Sequence, residues 1–157
     1  MSETTTSRRG FILGAAALLA APMQSFAASG PSIHVFKDPN CGCCGAWIEI
    51  LEANGFQVTT QASAGTALMR EKMARKIPQN MASCHTADIE GYVLEGHVPV
   101  SDILRMLKER PDAVGLAVPG MPYGSPGMGP ESSREAYDVH LILHDGTTEI
   151  FNSYAAA

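Results

Sequence analysis

No apolar run in this chain reaches the roughly 18–20 residues that a bilayer-spanning helix requires. Positive charge is scarce as well: 11 Lys and Arg stand against 16 Asp and Glu, and no basic cluster follows the N-terminus. Such a balance repels phosphate and argues against a nucleic-acid-binding role. No repeat longer than a Pro-Gly-Met pair is present, and no heptad or long apolar stripe calls for self-association, so the chain reads as a monomer. At 157 residues it can form one domain with a real core, plus an extension.

Cysteine is limited to four residues, but three of them fall within Cys41-Gly42-Cys43-Cys44. The motif lies between an apolar strand-like run (Ile33, Val35, Phe36) and a helix-like run (Trp47, Ile48, Leu51). Free backbone N–H groups and the helix dipole at such a junction stabilise negative charge, so a thiol placed there loses its proton more readily. Cys41 and Cys44 have the spacing of a thioredoxin-type redox pair. Cys43 is one thiol more than that chemistry needs, and it points toward metal.

Residues 1–27 read as an export signal. Ser7-Arg8-Arg9-Gly10-Phe11-Ile12 resembles the twin-arginine pattern, an Ala/Leu-rich stretch runs from Phe11 to Ala21, and Ser25-Phe26-Ala27 places cleavage after Ala27. The twin-arginine and general export routes both lead to the periplasm. Removal of the signal leaves 15 acids and 9 bases, a more acidic chain. In an oxidising compartment four cysteines can also form two plain structural disulfides. Against that, vicinal Cys43 and Cys44 pair only through a strained ring, and a domain of this size needs no staple.

Along the mature chain the pattern predicts a strand over 31–38, a helix over 44–54 stopped at Gly55, and a strand over 56–61. A helix follows over 66–76, with Leu68, Met69 and Met73 near one face and both Met residues assigned to the core. Strand signals around Ala87 and over 88–96 precede a helix over 100–110 with Ile103, Leu104 and Leu107 inward. The order is β-α-β-α-β-β-α, that of an α/β thioredoxin-like two-layer domain, a small mixed sheet flanked by helices, over residues 28–114. Pro78 then matches the cis-proline that faces the redox pair in that fold. Residues 115–157 form an extension. Its Gly115–Gly129 part has no helical or strand period, but it carries Met121 and Met128 in two Pro-Gly-Met units, which suggests a loop folded back over the cysteines. Asp145-Gly146 between alternating runs predicts a hairpin over 137–154.

Cys and Met together favour Cu(I), and packed thiolates can bridge more than one copper ion. Zinc ranks lower, because CxCC does not supply two spaced ligand pairs. Candidate metal ligands are Cys41, Cys43, Cys44, Cys84, His85, Met121 and Met128, with Cys41 and Cys44 as the redox-active pair. His97, before Val98-Pro99, is read as orienting a loop or binding metal, with the structural role favoured, and His34 as structural. His140 and His144 would lie about 13 Å apart on a strand, too far to share an ion.

The motifs CGCC after a strand, SCHTA at 83–87, GYVLEGHVP at 91–99 and GLAVPGMPYGSPGM at 115–128 resemble the CopG-like periplasmic copper-resistance proteins, from Ile33 through Met128. The resemblance implies a thioredoxin-like fold with a metal-binding extension, copper at the CxCC motif, and Cu(I)/Cu(II) interconversion during detoxification. Three readings stay open: a copper-dependent oxidoreductase, a non-catalytic shuttle delivering copper to a periplasmic efflux system, and a metal-free thiol–disulfide oxidoreductase using Cys41 and Cys44.

Overall fold

The computed structural model describes Met1 and residues 30–157, so the export signal and its cleavage point lie outside the described residues, Met1 apart. The elements are β1 (Ser32–Lys37), α1 (Gly42–Ala53), β2 (Gln57–Ala62), α2 (Thr66–Ala74), β3 (His85–Ile89), β4 (Tyr92–Glu95), α3 (Val100–Glu109), β5 (Gly115–Ala117), β6 (Tyr137–Ile142) and β7 (Thr148–Tyr154). The strands form one seven-stranded sheet in the order β2-β1-β3-β4-β5-β6-β7. Pairing is parallel for β1–β2 and β4–β5 and antiparallel elsewhere. This is the expected mixed sheet flanked by helices, in a thioredoxin-like arrangement. Among the described residues no helix is long and apolar enough to cross a membrane.

Strand alternation decides which side chains meet which helix. Ile33, Val35, Ala87, Ile89 and Leu94 share a core with Trp47, Ile48 and Leu51 of α1 and Ile103 and Met106 of α3. Fully burying one such apolar side chain is worth about 1.5–3 kcal/mol. Trp47 is fully buried and its indole N–H donates to the Val98 carbonyl at 2.9 Å, so the anchor of α1 leaves no orphaned donor. Thr86 and Glu95 point to the other face, where Lys72 of α2 reaches both at 3.0 and 2.5 Å.

Several local expectations shift for identifiable reasons. The inward face of α2 is Leu68 and Lys72, so Met69 (48% exposed) and Met73 (70%) lie outside the core. On α3 the buried side is Asp102, Ile103 and Met106, and Leu104 faces solvent. Asp102 draws the helix round, because its carboxylate accepts from Tyr154 Oη at 2.7 Å and Asn152 Nδ2 at 2.9 Å on β7. No cis peptide bond occurs among the described residues, so Pro78 is trans; it precedes a short 3-10 turn at Gln79–Met81. Gly115–Ala117, three buried residues too short to show a period, is the strand that joins the terminal hairpin to the sheet.

The chain past β5 leaves the sheet where Val118 N–H donates to Glu95 O at 2.9 Å. Gly127 then reaches α1 at φ +83, where an added Cβ would lie 2.7 Å from Trp47 N and 3.0 Å from Cys43 O. Both neighbours are helix backbone and cannot move aside. Gly127→Ala should therefore cost about 2–4 kcal/mol, combining the left-handed penalty with overlap. Urea unfolding measures it, and an unchanged midpoint would mean that this segment does not rest on α1 in solution.

Candidate metal centre

Cys41 is the N-cap of α1, and its sulfur accepts the Cys44 N–H at 3.3 Å. One turn of helix brings Cys44 back beside Cys41, and the two are disulfide-bonded with Cα atoms 5.4 Å apart. Cys43 remains a free thiol, its sulfur 3.5 Å from that of Cys41. Helix geometry accounts for these three.

The fourth thiol arrives from a distant part of the chain. Antiparallel pairing sets His85, the first residue of β3, opposite Lys37, the last of β1. Cys84 therefore lies one residue beyond the sheet, beside the start of α1. Its sulfur is 3.5 Å from Cys44 Sγ. Thus Cys84 faces the redox pair.

His97 comes to the same point by the register of a hairpin. Glu90 and Gly91 both have positive φ and form the tight turn between β3 and β4. The ladder pairs Ile89 with Tyr92 and Thr86 with Glu95, and its continuation sets Cys84 opposite His97. The observed separation is 3.1 Å between Cys84 Sγ and His97 Nε2. His97 Nδ1 lies 2.7 Å from the Pro126 carbonyl, which only accepts, so Nδ1 carries the proton. The Nε2 lone pair is thereby aimed at the sulfur. A second-sphere carbonyl fixes the tautomers of metal-binding histidines in the same way.

His85 places Nδ1 3.3 Å from Cys84 Sγ. Its ring is fully buried between Trp47 (centroids 4.3 Å apart) and His97 (5.1 Å), and its Nε2 has no hydrogen-bond partner. A buried orphan nitrogen is costly unless something binds it. The four cysteine sulfurs all lie within 4.8 Å of one another, as do the ligand atoms of Cys84, His85 and His97.

Of the residues singled out from sequence, Cys41, Cys43, Cys44, Cys84 and His85 come together. Met121 is half exposed, and Met128, partly buried, follows the Gly127 contact with α1. His97, for which the sequence favours loop orientation over metal binding, joins the cluster, and the Glu90-Gly91 turn is the signal that decides between the two. His34 bonds Thr59, His144 pairs with Asp112 at 3.1 Å, and His140 sits in β6, all outside the cluster.

Beneath the Ser83-Cys84-His85 corner lies a buried polar network. Glu95 Oε1 accepts the Ser83 N–H at 2.5 Å and the Lys72 ammonium at 2.5 Å, and Oε2 accepts the Thr86 hydroxyl at 2.6 Å. Burial pushes the Glu95 carboxyl above its ordinary value, while Lys72 pulls against that shift. Burial also drives His85 well below the usual imidazole value, assisted by His97 and Lys72, and lowers His97, against which the Pro126 carbonyl acts. Both rings are therefore neutral near pH 7 with lone pairs free to ligate. Burial, with Cys43 contributing, pushes the Cys84 thiol up to about 12.

The family model described as "Protein of unknown function, DUF411" matches residues 81–128, from Met81 through Met128. Two solved structures are similar across nearly their whole length. Copper resistance protein CopG, Form 2, is 47% identical with a TM-score of 0.74, over 79% of this chain and 98% of that one. Form 1 is 46% identical, also with a TM-score of 0.74, over 81% and 100%. This chain belongs to the CopG family. No curated protein sequence matches it. The family match takes in Cys84, His85 and His97, so the histidine that the hairpin register delivers lies inside the matched segment.

A thiol with a pKa near 12 has a thiolate fraction at pH 8 about a thousandfold below one at 9.0. Its greater intrinsic nucleophilicity recovers some 20- to 30-fold. Iodoacetamide should therefore modify Cys84 of the metal-free protein at least tenfold more slowly than an exposed thiol. The rate should climb about tenfold per pH unit from pH 7 to 10 without a plateau. Peptide mass spectrometry reads both, and a plateau below pH 9 would show that the thiol is not desolvated.

Proposed function

We propose that this protein binds Cu(I) in periplasmic copper resistance and that the Cys41–Cys44 couple changes the oxidation state of copper there. The observation that carries the reading is the packing of four sulfurs within 4.8 Å of one another. Cu(I) accepts two- and three-coordinate thiolate sites, and a bridging thiolate lets one cluster hold more than one ion. Neutral imidazoles at His85 and His97 add nitrogen ligands without adding charge. His85 Nδ1, 3.3 Å from Cys84 Sγ, and the aimed Nε2 of His97 both suit a metal. Met121 and Met128 supply further soft sulfur from the extension.

With the disulfide in place, Cys43 and Cys84 are the free thiols. Reduction of Cys41–Cys44 by two electrons doubles the number of sulfurs able to ligate. In the other direction, two Cu(II) ions take one electron each from the Cys41 and Cys44 thiolates. The products are two Cu(I) ions and one disulfide. Redox conversion and metal storage thus draw on the same four sulfurs, and no organic cofactor is needed. The released Cu(I) is cargo for a periplasmic copper efflux system. A shuttle without catalysis would use the same ligands and leave the disulfide unchanged during turnover.

Copper and zinc content of the exported chain, residues 28–157, reduced and loaded with Cu(I), tests the reading. More than one copper per chain is expected, with little zinc, falling by at least half in Cys43→Ser. Addition of Cu(II) to the reduced protein should yield one Cys41–Cys44 disulfide per two Cu(I) formed. Copper binding with no disulfide formed would favour the shuttle. Failure to bind copper, with Cys41 and Cys44 reversibly oxidised, would leave the thiol–disulfide oxidoreductase.

A further inference from the structure

The Cys41–Cys44 disulfide is flanked by two free thiols, and they are not equivalent. Cys43 lies 3.5 Å from Cys41 Sγ on the same helical turn, so bonding to Cys41 would close a ring of two residues' separation within α1. Cys84 lies 3.5 Å from Cys44 Sγ and comes from a different element, held by the β1–β3 register. A Cys44–Cys84 bond would cross-link α1 to the entry of β3 and leave the turn of α1 unstrained. The leaving group in that exchange is also favoured: Cys41 Sγ caps α1 and accepts the Cys44 N–H at 3.3 Å, where the helix N-terminus stabilises a thiolate.

His97 Nε2 is 3.1 Å from Cys84 Sγ, and the Pro126 carbonyl holds the ring with its lone pair toward that sulfur. We propose that Cys84 is the nucleophile of an internal thiol–disulfide exchange, attacking Cys44 to move the disulfide from Cys41–Cys44 to Cys44–Cys84. The Cys84–H bond breaks and its proton passes to solvent. The Cys84–Cys44 bond forms, the Cys44–Cys41 bond breaks, and Cys41 departs as a thiolate. No external oxidant or reductant takes part, because one disulfide replaces another.

The consequence is a second oxidised state with different free sulfurs. With the disulfide at Cys41–Cys44, the free thiols belong to the CxCC turn and the β3 corner, one each. After exchange the free thiols are Cys41 and Cys43, both partly exposed at the N-terminal turn of α1. The oxidised protein thus presents a dithiol on one helical turn for an incoming thiol-reactive partner or a soft ion, while Cys44 and Cys84 are bonded to each other.

Trapping of the metal-free oxidised protein by iodoacetamide, with a Cu(I) chelator present, tests the exchange. Alkylation of released Cys41 blocks the return, so exchange becomes irreversible and accumulates. Disulfide mapping of the acid-quenched digest should show carbamidomethyl on Cys41 and Cys43 and a Cys44–Cys84 linked peptide pair. In Cys84→Ser, with circular dichroism unchanged, no label should reach Cys41. Label on Cys43 and Cys84 with Cys41–Cys44 retained would overturn the proposal. Label on Cys44 would assign the attack to Cys43 and overturn it equally. Label on Cys41 in Cys84→Ser would overturn it as well. Because copper is absent throughout, the outcome is independent of whether the cluster binds Cu(I).

Discussion

Two strand registers set the distances on which all of the site chemistry depends. Pairing of Lys37 with His85 ends β1 and begins β3 at the same level, so the thiol motif after one strand meets the Cys84 corner before the other. A slip of a single residue would turn Cys84 to the opposite face and exchange Ala87 for Thr86 in the core. The core therefore enforces the site: Val35, Ala87 and Leu94 are fully buried beneath Trp47, and only one register satisfies them. Apolar packing many times larger than any single sulfur contact holds Cys84 within reach of Cys44.

The same constraint explains the buried charge pair. The register that buries Ala87 and Leu94 on one face sends Thr86 and Glu95 to the other, where Lys72 meets them. Removing one partner of such a pair leaves a charge uncompensated, at a cost of about 3–5 kcal/mol, although a well-packed apolar replacement of the pair is often neutral. Stability alone thus gives little reason to have the pair. Its distinctive contact is the Glu95 carboxylate on the Ser83 N–H, the residue immediately before Cys84. Glu95 carries the order of the sheet into a segment that has left it.

Much of this was legible in the sequence, and the parts that were not share a cause. The strand–CGCC–helix junction, the Gly55 stop and the Asp145-Gly146 hairpin are local patterns, and each appears where local rules put it. Cys84 and His85 stood out by residue type beside a motif already in view. His97, by contrast, is a chemically ordinary residue whose role is set by pairing across a turn. Its neighbours leave loop orientation and metal binding both open; counting outward from Glu90-Gly91 places it beside Cys84. Met69 and Leu104 were misplaced because the apolar stripe on a short helix was read without the polar groups that also bury. Lys72 and Asp102 each rotate their helix by about one position, toward Glu95 and toward Tyr154 respectively.

The extension draws its position from the sheet as well. Because β5 runs parallel to β4, the chain leaves β5 at the end where Cys84 and His97 lie, with no linker needed to bring it back. Gly127 then permits contact with α1 at a distance no side chain would allow, and that contact presents the Pro126 carbonyl to His97. A single hydrogen bond at 2.7 Å thereby decides which ring nitrogen of His97 is protonated, and so which one faces sulfur. Were the loop to lift away, Nδ1 would lose its acceptor and the ring would be free to take the other tautomer, closing the lone pair to both metal and thiol. The loop of Gly, Pro and Met thus helps set the geometry of the candidate site through a backbone carbonyl. Its lack of helical or strand period follows from having to satisfy α1, His97 and the sheet at once.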